Sequence, residues 1–216
     1  MTDSRKGGLA LIAGNVALLF TMALHPTGHQ IVAAGSGWSP ILLLNVAVHT
    51  LGIAACPILF LGALALTNAI EDGRRVAVTA LVVYAFALLA GMLAASMSGY
   101  VVTDVYQRIA LAPDPQTAQV WRVFLRYSGL LNQAFARILV IGGAAAIILW
   151  SCAIRARGVK WYGIVSNVAI IIAVMWGLPL DVHGYGAVVL LQAGWFISVA
   201  SMMRSGRAGA PARTLA

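Results

Sequence analysis

The stretch PILLLNVAVHTLGIAACPILFLGALALTN, residues 40–68, decides the fold. It contains no Asp, Glu, Lys or Arg. A helix needs roughly 20 apolar residues to cross ~30 Å of hydrocarbon, and this run exceeds that. A barrel strand would be about half as long and would alternate polar with apolar positions, which this stretch does not. Lipid offers no partners to backbone N–H and C=O groups, so the run must satisfy them internally, as a helix.

Working outward, comparable runs occupy residues 9–25, 76–99, 130–153, 161–179 and 186–203, with the quoted one counted as 41–68. The whole 216-residue chain is 61% hydrophobic and 9% charged, with mean hydropathy +0.91. These values exclude an ordinary soluble domain. The expected fold class is therefore all-α, a polytopic six-helix transmembrane bundle. Residues 1–204 are expected to form the membrane domain and residues 205–216, rich in Gly, Ala, Pro and Arg, a disordered basic tail. The first run is basic at its start, like a secretory signal, but no small-x-small site closes it, so it is expected to remain a helix.

Basic residues set the orientation. Arg5 and Lys6, Arg74 and Arg75, Arg155, Arg157 and Lys160, and Arg204, Arg207 and Arg213 all fall on one side of six spans. The positive-inside rule makes that side, with both termini, cytoplasmic. The chain is thus expected to be a multi-pass protein of the bacterial inner membrane, in contact with the lipid bilayer. Its net charge of +8 is topological and implies no nucleic-acid partner.

Prolines mark the boundaries. Ser39 before Pro40 reads as an N-cap with proline at the first helical position, and Pro57 is expected to kink the second span. Asp114 between Pro113 and Pro115 reads as the cap of the fourth helix. Residues 100–112 and 116–128 are then expected to continue the third and fourth spans as a periplasmic hairpin, projecting by ~15 Å. Cys56 lies mid-span and Cys152 near a span end, so no disulfide is expected.

Polar residues inside a membrane are costly and mark sites. Asn45, His49, Gly52 and Cys56 share one face of the second span at spacings of four, three and four. On the fourth span, Arg122, Arg126, Gly129, Gln133 and Arg137 form one stripe, with Ser128 and Asn132 beside it. Ser96, Ser98, Tyr100 and Asp104 end the third span, and Asp181, His183 and Tyr185 join the fifth to the sixth. All lie in the outer half, whereas the inner halves are nearly uniform Ala, Val, Leu and Ile, with Asn167 the main exception.

The pattern His25-Pro26-Thr27-Gly28-His29 adds two imidazoles at the same level. His25, His29, His49, Asp181 and His183 are the candidate metal ligands, and imidazole with carboxylate suits zinc or copper rather than calcium. Asn45, Asp104, Asn132, Gln133, Arg137 and Tyr185 are the candidate substrate-binding or supporting residues. The same histidines admit a haem b reading, for which His49 lacks an obvious partner at its depth unless His25 or His183 is set deeper than its helix end implies. Plainer readings compete: His49 hydrogen-bonded to Asn132 or Gln133, and Asp104 paired with the Arg122 to Arg126 region.

Ser96-Met97-Ser98-Gly99 with His183 is similar to the serine and histidine of rhomboid proteases, but rhomboids carry Gly-x-Ser-Gly on the fourth span, and here the residues end the third. In length, span layout and polar outer half the chain resembles small six-span bacterial inner-membrane proteins of an uncharacterised family, a resemblance that transfers no site. Three function classes follow: a metal-binding protein or enzyme acting on a lipophilic or periplasmic molecule, a solute or metal permease, and an accessory subunit or homo-oligomer. The last would use the small residues Gly142 to Ala146 to meet a partner.

Overall fold

The computed structural model describes residues 3–26 and 39–205. Residues 27–38, His29 among them, and the expected tail beyond Ser205 lie outside the described residues. Within them the chain is helical: α1 (Asp3–Ala23), α2 (Pro40–Ala69), α3 (Arg74–Ser96), a π-helical turn (Met97–Val101), α4 (Val102–Ala110), α5 (Pro115–Ala153), α6 (Arg157–Met175) and α7 (Val182–Arg204). Since α3, the π turn and α4 run on without a break, the helices make six spans long and apolar enough to cross a membrane. The chain is an integral, multi-pass membrane protein.

The boundaries follow local chemistry. The Ser39 hydroxyl accepts from the Leu42 amide at 3.3 Å, with Pro40 opening α2. The Asp114 carboxylate accepts from the Thr117 amide at 2.7 Å and from its hydroxyl at 2.8 Å, with Pro115 opening α5. Pro57 lies inside α2, which continues through it. Two boundaries differ from expectation. Helix α7 begins at Val182 because Asp181 caps it, accepting from the Gly184 amide at 2.8 Å, so His183 sits in a first helical turn and not in a loop. Helix α6 ends at Met175, and Gly177 takes a left-handed φ of 94° where the chain turns back.

The spans follow one another around a ring: α1 packs on α2 and α7, α2 on α3, α3 on α5, α5 on α6, and α6 on α7. Helices α4 and α5 pack together as the expected hairpin, and Arg108 of α4 lies 4.8 Å from the ring centre of Trp121 on α5. One end of the bundle gathers the termini and the basic turns: the Ser4 hydroxyl donates to the Met203 carbonyl, and Arg155 pairs with Asp72.

Small residues let backbones approach. A Cβ at Gly62 would fall 2.8 Å from the Leu11 amide nitrogen, and one at Gly142 would fall 3.0 Å from the Ala87 methyl. Gly142, Gly143, Ala144 and Ala146 are thereby spent on packing within the chain. The flank expected to meet a partner is internal, Ala144 and Ala146 having no exposure.

The core concentrates at the basic end. Trp150 and Trp195 are fully buried and stack at 6.3 Å, with Tyr84 and Phe196 packed edge-on or tilted against them. The Trp150 indole donates to the Thr67 hydroxyl at 3.1 Å. This aromatic floor closes the ring below a cavity that opens toward the hairpin end.

Candidate functional site

Helix α1 stops at Ala23, and His25 follows it at the hairpin end of the bundle. His49 descends into the ring two and a half turns below the start of α2, where the exposed fraction of its surface is 5%. The two imidazoles meet: His25 Nε2 lies 3.2 Å from His49 Nε2, with ring centroids 4.7 Å apart and planes crossed at 72°. Helix lengths alone place His25 and His183 nearer the surface than His49, with either able to approach it if the span ends are set deeper; it is His25 that does.

The other ring nitrogens fix the chemistry of this contact. His25 Nδ1 sits 2.8 Å from the Pro26 carbonyl, and His49 Nδ1 sits 2.7 Å from the Asn45 carbonyl. A carbonyl oxygen only accepts, so each Nδ1 must carry the proton. In two neutral imidazoles that assignment leaves both Nε2 atoms as bare lone pairs facing each other. Burial lowers the pKa of His25, the Pro26 carbonyl opposing more weakly, so its neutral form is favoured. Two lone pairs facing each other at 3.2 Å repel, an arrangement that a cation between them would relieve.

The shell around the pair is rigid. Asn45 Nδ2 donates to the Ser98 carbonyl and the Thr103 hydroxyl, each at 3.0 Å, and the Thr103 hydroxyl donates to the Gly99 carbonyl at 2.7 Å. Asn45 thus ties α2 to the π turn, the kind of helix irregularity that gathers at functional sites. Gly99 in that turn has no substitute: a Cβ there would overlap the His49 Cβ and lie 2.8 Å from its Cγ. The Thr103 bridge and the role of Gly99 escaped the sequence reading. The polar run Ser96 to Tyr100 was the available signal, but Ser98 contributes its carbonyl and Gly99 its missing side chain.

His25 and His49 line a mouth of about 400 Å³ together with Met22, Ser98, Asn132, Gln133, Asp181 and Tyr185. Gln133 Nε2 donates to the Leu180 carbonyl at 3.2 Å, tying α5 to the turn before α7. Asn132, Gln133, Asp181 and Tyr185 thus stand where the sequence reading grouped them. Other expected members stand elsewhere. His183 is exposed and does not line the mouth. Asp104 pairs with Arg108 at 2.6 Å on the hairpin surface, not with Arg122 or Arg126, because the i,i+4 partner on its own helix is nearer. Arg137 is exposed, beside the exposed Ala134 and Ile138, because the wall of α5 runs through 132, 133, 136 and 139, and position 137 has turned off that line. His49 bonds His25 and the Asn45 carbonyl, not Asn132 or Gln133.

Among the described residues, no three His, Cys, Asp or Glu side chains converge on one ion. Of the candidate ligands within the described residues, His25 and His49 meet, whereas Asp181 is engaged as a helix cap and His183 is exposed. A haem held between His25 and His49 does not fit either: ligands on opposite faces of an iron stand about 4 Å apart with the macrocycle between them, whereas these rings touch. Cys56 is buried, Cys152 is exposed, and both are free.

No family model matches the chain, and neither a curated protein nor a solved structure matches it.

Proposed function

We propose that this protein uses the His25–His49 pair to hold a zinc- or copper-class ion at the mouth of a one-sided membrane cavity, where the ion meets a small lipophilic molecule. The observation carrying this reading is the 3.2 Å Nε2–Nε2 separation with both Nδ1 atoms bonded to carbonyls. Metal-bound histidines characteristically donate their second N–H to a carbonyl or carboxylate, which fixes the tautomer and aims the lone pair. Two imidazoles on one tetrahedral ion, with bonds of 2.0–2.1 Å, stand about 3.3 Å apart. Two protein ligands leave coordination positions for water or for a ligand oxygen, the open arrangement that suits a Lewis acid. The Met22 thioether in the same wall favours the softer ions.

By the positive-inside rule the mouth faces the periplasm of a bacterial inner membrane, the basic turns lying at the opposite end. The aromatic floor speaks against a continuous path and so against a permease reading. A second reading rests on the same contact: one proton shared between the two Nε2 atoms completes all three hydrogen bonds and makes the pair a buried cation.

Elemental analysis of protein purified in lipid nanodiscs, and again after incubation with zinc or copper, separates the two. The metal reading expects about one equivalent, removable by a chelator and lost in His25→Ala and His49→Ala. No retained metal after loading, or equal metal in the variants, sinks it and leaves the shared proton.

A further inference from the structure

Below the mouth lies a second cavity of about 90 Å³, and the two share Gly91, Ala95, Leu139 and Tyr185 as wall residues, so they form one funnel. Its sides are mainly apolar, with Leu18, Leu88 and Val188 among them, Asn15 and Gln192 add polar groups, and Phe196 of the aromatic floor lies at its base. Tyr84 is 5% exposed and lines this chamber, and its hydroxyl makes no hydrogen bond with any described residue. The Tyr185 hydroxyl, on the shared wall, is likewise without a partner among the described residues. Tyr84 and the half-buried Tyr185 line the same funnel, so their hydroxyls can meet a ligand oxygen or water that enters it.

The dimensions restrict that ligand. Tyr185 to Gln192 on α7, and Gly91 to Tyr84 on α3, each span the funnel in seven residues, which is ~10 Å of helix. An extended chain advancing about 1.25 Å per bond covers this in roughly eight atoms. Cavities that accept a benzene ring measure roughly 150 Å³, more than the ~90 Å³ chamber offers, so only the far end of such a chain enters the chamber and the rest lies in the mouth.

We propose that the funnel takes an unbranched aliphatic chain of about eight atoms, polar at the mouth, whose far end enters the chamber and carries a hydroxyl or carbonyl oxygen for Tyr84, so that the chamber is the specificity half of the histidine site. This rests on the reading of the His25–His49 pair as the head-binding site, but its length and oxygen selection come from the funnel alone.

The test is equilibrium binding of 1-alkanols from about four to about twelve carbons, and of the matching α,ω-diols, to protein in nanodiscs, corrected with empty nanodiscs. Each added methylene should raise affinity roughly fourfold until the chain reaches the floor near eight carbons, and then the gain should stop. Partition into lipid has no such stop. Tyr84→Phe, which removes only an unbonded hydroxyl, should weaken 1,8-octanediol roughly fivefold and leave 1-octanol unchanged. Gly52→Leu should move the stop to shorter chains, since a Cβ at Gly52 meets nothing closer than the Thr21 methyl at 3.6 Å and a larger side chain can enter the chamber. An unbroken rise with chain length, or equal diol binding by Tyr84→Phe, overturns the proposal and leaves water as the occupant. The same series on His25→Ala keeps the two readings apart: a length limit preserved in this variant, which has lost the metal, supports the chamber, whereas metal binding by the unaltered protein with no length limit in either supports the pair alone.

Discussion

Replacing Gly99 by alanine is the most searching perturbation of the pair, because it leaves both histidines in the sequence and alters only their packing. The added Cβ would overlap the His49 Cβ and stand 2.8 Å from its Cγ and 3.3 Å from its Nδ1. Carbon atoms in contact prefer about 3.5–4.0 Å, so α2 and the π turn must separate by about 1 Å. Rotation of the His49 side chain gives no relief, since the position of a Cβ is set by the backbone. A shift of that size moves His49 relative to His25 and takes the Nε2 separation off its 3.2 Å value, which matches the roughly 3.3 Å bite of a tetrahedral ion. It also strains the Asn45 bonds to Ser98 and Thr103. Overpacking of this kind costs about 1–3 kcal/mol of stability, and disturbing the support of a ligand weakens metal binding roughly 10–100-fold. Thermal unfolding and zinc titration in nanodiscs read the two effects separately. Gly129→Ala, where a Cβ meets nothing within 4 Å, is the control and should leave metal binding unchanged. Zinc binding by Gly99→Ala equal to that of the unaltered protein would refute the reasoning.

Two predictions concern the frame. Thr67→Val keeps the shape of the side chain but leaves the fully buried Trp150 indole without its acceptor, which should destabilise the bundle by about 1–3 kcal/mol; an unchanged unfolding midpoint would contradict the assignment. Asp114→Ala should fray the hairpin tip, seen as faster hydrogen exchange at the Thr117 amide. In the unaltered protein the bonds to Thr117 hold the Asp114 carboxyl below its ordinary value, so the cap is complete above about pH 4 and should be lost as the pH falls through its lowered pKa; exchange indifferent to acid would count against it.

The membrane fold was legible in residues 40–68 because the bilayer imposes a length and a composition that any sequence must show, and proline-linked caps such as Ser39 and Asp114 announce themselves locally. The site was legible as a level rather than as a set of contacts. Hydropathy placed His25, His49, Asn132, Gln133, Asp181 and Tyr185 at one end of the bundle, but which of them touch depends on helix rotation and on where α1 ends relative to α2. His183 and Arg137 illustrate the gap: both stand at the right level, and about one residue of angular drift turns each away from the mouth. The π turn at Met97–Val101 and the exclusion of a side chain at Gly99 arise from packing between α2 and α3, and a polar run in the sequence signals neither.

X-ray absorption on the zinc-loaded protein in nanodiscs tests the central claim most directly. The account predicts two imidazole nitrogens at about 2.0–2.1 Å per zinc, falling to one or none in His49→Ala. A coordination shell without histidine, or one that the His49→Ala substitution leaves intact, would contradict it.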